Sequence, residues 1–252
     1  MLIKSDKNEF SIKCFLGYNR VMEVLNKLKN NVIVSVQAMP DEPLYKEDCM
    51  TAMMQSVISG GAGGLRVAGI RDVKNAKKLF DVPVIGITKP NKLPDNWQEV
   101  VYITPTLSDV ENLVAAGADI IAFDGTLRER EVSVKEIIEK IHSKNKLAMA
   151  DIATFEEGIN CAKQGVDILS TTLSGYTKES LTDSDEPDFD LLKKLVKNTK
   201  LPVILEGKIW DPKQVKHAFE SGAYCVVIGS AITRPQLITK RFCNEINGGI
   251  NG

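Results

Sequence analysis

Eight short apolar runs recur along the chain, each followed by a charged stretch of helical character. They are "VIVSVQ" (32–37), "GLRVA" (64–68), "VPVIGITK" (82–89), "DIIAFD" (119–124), "LAMADI" (147–152), "DILSTT" (167–172), "LPVILEG" (201–207) and "YCVVIGS" (224–230). Runs this short, rich in β-branched residues, read as buried strands. Between them lie amphipathic segments such as "DVENLVAAGA", "SVKEIIEKIH", "DFDLLKKLVKN" and "DPKQVKHAFESGA". In the last, Asp211 is placed to cap a helix, Pro212 to open it and Gly222 to follow its end. Eight strand–helix units in 252 residues predict an α/β fold, a single (β/α)8 or TIM barrel. The alternative is an open doubly wound sheet, but no GxGxxG follows the first strand. Residues 1–30 form an N-terminal extension, within which "NRVMEVLNKLKN" predicts a helix suited to plugging the barrel bottom. Residues 31–252 are expected to be the barrel catalytic domain.

Side chains alternate along a strand, so parity sorts them into two faces. Gln37 shares parity with Ile33 and Ser35, Arg66 with Gly64, and Lys89 with Ile85 and Ile87. Asp124 goes with Ile120 and Ala122, Asp151 with Met149, and Glu206 with Ile204. The opposite parity is apolar: Val34, Val36, Leu65, Ile121, Phe123, Val203 and Leu205. That face suits helix packing. The polar set must then point into the mouth at the C-terminal strand ends, where barrel active sites are built. A salt-bridge network capping the core is the bland alternative. Six polar ends of matching parity favour a site.

The last two strands carry a different signal. Gly207, Gly229 and Ser230 let backbone N–H groups approach an anion, and Lys208 and Arg234 supply charge. A phosphate held after strands 7 and 8 is the usual barrel arrangement.

Composition removes other classes. The net charge is −1, which gives no basic surface for nucleic acid or an acidic membrane. No apolar run reaches the ~20 residues of a membrane span, and no signal core opens the chain. Five cysteines without a CxxC support neither a disulfide framework nor a zinc site, and a cytoplasmic location is expected. The only histidines, His142 and His217, sit in polar helical stretches, so a histidine triad or metal site is not expected.

The blocks "IVSVQAMPDEPLY", "GGAGGLR", "VIGITK", "VYITPT", "MADIAT", "TTLSGYT", "ILEGKI" and "VVIGSAITRPQLITKRF" together resemble the N-acetylmannosamine-6-phosphate 2-epimerases, over roughly residues 31 to 242. The resemblance implies a TIM barrel, often a homodimer. It implies interconversion of N-acetylmannosamine 6-phosphate and N-acetylglucosamine 6-phosphate in sialic-acid catabolism, without nucleotide or metal cofactor. On it, the catalytic lysine and glutamate fall on Lys89 and Glu206. Substrate contacts fall on Gln37, Arg66 and Asp151, with Asp124 of the same inward set beside them, and the phosphate-binding arginine falls on Arg234. The chain departs from the family pattern at Pro90, Ala68 and Lys208, and in a longer loop around "PNKLPDNWQE".

Inverting C2 of an open-chain N-acetyl hexosamine needs a base at C2 and a proton donor near the ring oxygen and the developing enolate. Lys89 is the candidate base, because burial and a nearby cation would move a lysine toward the useful range of about 7–8. Glu206 is the candidate partner. A Schiff-base lysine is the rival use of Lys89. Another phosphosugar barrel enzyme, or a non-catalytic sugar-phosphate sensor on the same scaffold, is the rival reading of the whole chain. "TTLSGYT", with Tyr176, is a candidate lid.

Overall fold

The computed structural model of the protein describes residues 21–249. Its strands are β1 (Val32–Val36), β2 (Gly64–Ala68), β3 (Val84–Ile87), β4 (Ile120–Asp124), β5 (Leu147–Asp151), β6 (Ile168–Ser170), β7 (Val203–Glu206) and β8 (Cys225–Ile228). They pair in sequence order, all parallel, and β8 closes onto β1. This is the expected (β/α)8 barrel. Each strand falls inside its apolar run, and the runs overshoot by a residue or two at their ends.

Helices α1 (21–28), α2 (Glu47–Ser59), α3 (Ile70–Leu79), α4 (Leu107–Ala116), α5 (Val134–His142), α6 (Phe155–Lys163), α7 (Phe189–Asn198) and α8 (Pro212–Glu220) come before and between the strands. After β8 follow the short α9 (Ser230–Thr233) and α10 (Pro235–Gly249). Local chemistry sets their starts. Thr106, Ser133 and Thr154 cap α4, α5 and α6 with reciprocal side-chain bonds to Asp109, Glu136 and Glu157. Asp211 accepts from Lys213 N, Pro212 opens α8, and Gly222 (φ +94°) follows its end, as the sequence predicts.

Parity divides the core in two. Ile33, Ile85, Ile87, Ile120, Ala122, Met149, Ile168 and Ile204 fill the barrel interior. Val34, Val36, Leu65, Ile121, Phe123, Val203 and Leu205 pack beneath the helices. Among the described residues of the N-terminal extension, α1 lies against the interior set. Leu28 is fully buried there, with Val21, Val24 and Leu25 alongside. Tyr224 Oη donates to Leu25 O at 2.9 Å. The fit is tight: a Cβ on Gly64 would stand 2.9 Å from Ile33 Cδ1 and 3.7 Å from Leu28 Cδ2. Residues 1–20 of the expected extension lie outside the described residues. With the bottom filled in this way, the free space in the barrel lies at its mouth.

Candidate active site

Strand ends position the site. Gln37 follows β1 directly and Lys89 lies two residues past β3, while Arg66, Asp151 and Glu206 belong to β2, β5 and β7. The mouth holds a pocket of about 480 Å³. Gln37, Lys89, Glu206, Gly207, Lys208, Gly229, Ser230 and Arg234 all line it, so the structure brings together eight of the residues expected from sequence. Arg66 and Asp151 lie under its floor, 1% and 0% exposed.

Lys89 Nζ donates to Gln37 Oε1 at 2.9 Å, and Gln37 Nε2 donates to Ser35 Oγ at 2.7 Å. This chain fixes the amine at one wall. Burial, reinforced by the Arg66 cation, pushes Lys89 down to about 8, although Glu206 and Asp151 pull the other way. A lysine so placed is neutral often enough to take a proton near neutral pH.

The floor is an ionic network. Arg66 grips Asp151 through two bonds, Nη2 to Oδ2 at 2.5 Å and Nη1 to Oδ1 at 3.0 Å. Its Nη1 also reaches Glu206 Oε2 at 2.7 Å. A bidentate guanidinium–carboxylate pair is rigid, so Arg66 and Asp151 hold Glu206 in a defined place. Burial raises Glu206 well above the usual carboxylate range, to about 7, and Asp151 adds to the rise. Arg66, the Thr172 hydroxyl and Lys89 oppose it. Glu206 is therefore poised to hold or release a proton near neutral pH.

The residues expected to bind an anion are arranged in part differently from the sequence expectation. Gly207 takes φ +108°, a conformation that favours glycine. Lys208, itself at φ +57°, turns its amine away: Nζ donates to Ser184 O at 2.7 Å and sits 5.7 Å from the centre of the Tyr176 ring. It ties the β6–α7 segment to β7. Arg234 Nη2 donates to Glu42 Oε2 at 3.0 Å. Glu42 also accepts from Met39 N and Gln236 Nε2, so the β1–α2 loop is fastened to the arginine.

Asp124 does not reach the pocket. Its carboxylate is fully buried and accepts from Arg128 Nη2 at 2.5 Å, Thr126 Oγ1 at 2.6 Å and Arg130 Nη2 at 3.3 Å. Arg128 Nη1 in turn donates to the carbonyls of Trp97 and Gln98. Asp124, expected to contact substrate, is instead found bracing Arg128 against the β3–α4 loop. Its parity is inward, but a pair of neighbouring arginines turns the carboxylate into a brace. The "TTLSGYT" segment is likewise tied down, with Thr171 and Thr177 buried and Tyr176 lining the pocket.

Sequence reasoning missed Thr172, Glu42, Trp97 and Tyr102. Thr172 carried a usable signal, because Ile168, Ser170 and Thr172 share the inward parity of β6. Trp97 and Tyr102, whose rings meet edge-to-face, arrive on a loop where no periodicity operates. Among the described residues, no three or more His, Cys, Asp or Glu side chains gather to hold a metal, and no helix is long and apolar enough to cross a membrane.

Fold and site define a (β/α)8-barrel protein whose mouth brings together a lysine lowered from its usual range and a glutamate raised above its own. The chain matches the model of the putative N-acetylmannosamine-6-phosphate epimerase family over residues 50–248. A putative N-acetylmannosamine-6-phosphate 2-epimerase of Clostridium perfringens is 47% identical over 221 residues, 87% of this chain and 98% of the relative. One from Clostridioides difficile is 44% identical over 225 residues, 88% and 99% of the two chains. The solved structure of the C. perfringens N-acetylmannosamine-6-phosphate 2-epimerase superposes with a TM-score of 0.82 at 46% identity, covering 87% of this chain and 95% of that one. The chain belongs to the N-acetylmannosamine-6-phosphate epimerase family.

Proposed function

We propose that the protein interconverts N-acetylmannosamine 6-phosphate and N-acetylglucosamine 6-phosphate by removing and returning the proton at C2. Family membership supports the reaction. The observation that carries the mechanism is the juxtaposition of a lysine lowered to about 8 with a glutamate raised to about 7 in one pocket.

Lys89 takes the C2 proton of the open-chain sugar. That proton is acidic because C2 adjoins the aldehyde, and negative charge collects on O1 as it leaves. Glu206, in its protonated form, donates to that oxygen or passes the ring-opening proton. Gln37 aims the amine, and the Arg66–Asp151 pair keeps Glu206 in place. Gly207, Gly229, Ser230 and Arg234 receive the 6-phosphate, with Arg234 exchanging Glu42 for the phosphate. Lys208 acts on this end indirectly, by holding the β6–α7 segment.

We assign the protein to the cytoplasm, in keeping with a cysteine set that forms no disulfide among the described residues. We read it as a homodimer, in line with the resemblance to its family. Incubation with N-acetylmannosamine 6-phosphate, followed by proton NMR, tests the function. Growth of the N-acetylglucosamine 6-phosphate anomeric signals is expected. Equal turnover of unphosphorylated N-acetylmannosamine refutes the phosphate assignment, and no turnover of either sugar refutes the activity.

A further inference from the structure

Thr172 lies two residues past β6 and lines the pocket between two carboxylates. Its hydroxyl is 2.8 Å from Asp151 Oδ1 and 3.1 Å from Glu206 Oε2. Ser170 Oγ lies 2.8 Å away, and Arg66 Nη1 approaches at 3.4 Å. A hydroxyl has one hydrogen to donate, so it serves one carboxylate at a time. We propose that Thr172 is a positioning residue that turns its single hydrogen bond between Asp151 and Glu206, so that Glu206 can change protonation state without moving. This rests on the proton-transfer role proposed above for Glu206.

The two arrangements balance without transfer of the hydroxyl proton. When Glu206 is ionised, Thr172 donates to it beside the one bond from Arg66. When Glu206 holds a proton, it needs no donor there, and the hydroxyl turns to Asp151, which Arg66 grips through two bonds. Only the direction of the O–H changes. A hydrocarbon at this position would leave ionised Glu206 with the Arg66 bond alone. The other groups that act on Glu206 come from the surrounding elements. Lys89 comes from the end of β3, Asp151 from β5, and Tyr176 and Cys225 approach from the β6–α7 segment and β8. Burial raises both the Tyr176 phenol and the Cys225 thiol, so they stay neutral around neutral pH and bring no charge of their own beside Glu206. Arg234 acts on Lys89 from the rim beyond β8.

The test is a carboxyl titration of the substrate-free protein labelled with [δ-13C]glutamate, with the Glu206 resonance assigned by its loss in Glu206→Gln. Thr172→Val keeps the shape and removes the hydroxyl. Its Glu206 midpoint should rise by about one pH unit, the size of one hydrogen bond to a charged group. Thr172→Ser should leave the midpoint within about 0.3 of the wild type, by the same hydrogen-bond reasoning. In the epimerisation assay Thr172→Val should lose about tenfold in kcat with little change in KM, and Thr172→Ser should not, since the interaction differs between steps rather than in binding. If Thr172→Val does not fold, Thr172→Ala takes its place with the same expected shift. An unmoved midpoint in the variant lacking the hydroxyl, or an equal shift in Thr172→Ser, overturns the proposal. The titration is read without turnover, so it stands or falls separately from the activity itself.

Discussion

Replacing Lys89 by methionine should abolish epimerisation and make the protein more stable. The amine is held where burial and Arg66 lower it from 10.5 to about 8. At about 1.36 kcal/mol per pH unit, that gap means the folded state disfavours the charged lysine by about 3 kcal/mol. Below pH 8 the amine is protonated in both the folded and unfolded chains, and the full cost applies. Between pH 8 and 10.5 the folded chain has lost the proton and the unfolded chain retains it, so the cost shrinks as pH rises. Above 10.5 it is gone. Methionine fills similar space without a charge, though it forfeits the bond to Gln37, worth about 1 kcal/mol. Urea unfolding at pH 7 should therefore show Lys89→Met about 2 kcal/mol more stable than wild type. At pH 10.5 the advantage should vanish or reverse. A gain that is the same at both pH values, or a variant less stable at pH 7, refutes the idea that the fold holds this lysine against its charge.

Glu206→Gln keeps the shape but cannot carry a proton, and should cost about 10²–10⁴ in kcat with little change in substrate affinity. If its role is ring opening, the loss should disappear on a substrate kept acyclic by removal of the 5-hydroxyl. Arg234→Ala should raise KM with kcat nearly unchanged, because a phosphate grip is the same in ground and transition states; steady-state kinetics on the 6-phosphate distinguishes this from a catalytic effect. Leu28→Ala empties a fully buried site at the barrel bottom. It should destabilise by about 2–5 kcal/mol, read by urea unfolding, while kcat stays near wild type.

Much of this architecture is legible from strand parity alone. Alternation placed Ile85, Ile87 and Lys89 on one face and Val203 and Leu205 on the other, and the barrel interior and helix layer divide as it requires. The mouth residues follow from the same rule, since a strand residue's direction is set by its position and not by its neighbours. Parity says where a side chain points but not what meets it there. Asp124 points inward and is captured by Arg128 and Arg130, which come from a loop after β4. Lys208 and Arg234 have the expected charge, yet Ser184 and Glu42, distant in sequence, decide where the charged groups rest. Thr172 was within reach of the rule and Trp97 was not, because loop paths depend on long-range hydrogen bonds that no local period encodes.

In the proposed mechanism Lys89 exchanges the C2 proton with solvent. Epimerisation of N-acetylmannosamine 6-phosphate in D2O, followed at the C2 position by proton NMR and mass spectrometry, measures it directly. The expected product is N-acetylglucosamine 6-phosphate with deuterium at C2 and a mass one unit higher, unaffected by EDTA, with no exchange in Lys89→Met. Product that retains all of its C2 protium would contradict it, as would capture of the sugar on Lys89 by borohydride, which belongs to Schiff-base chemistry.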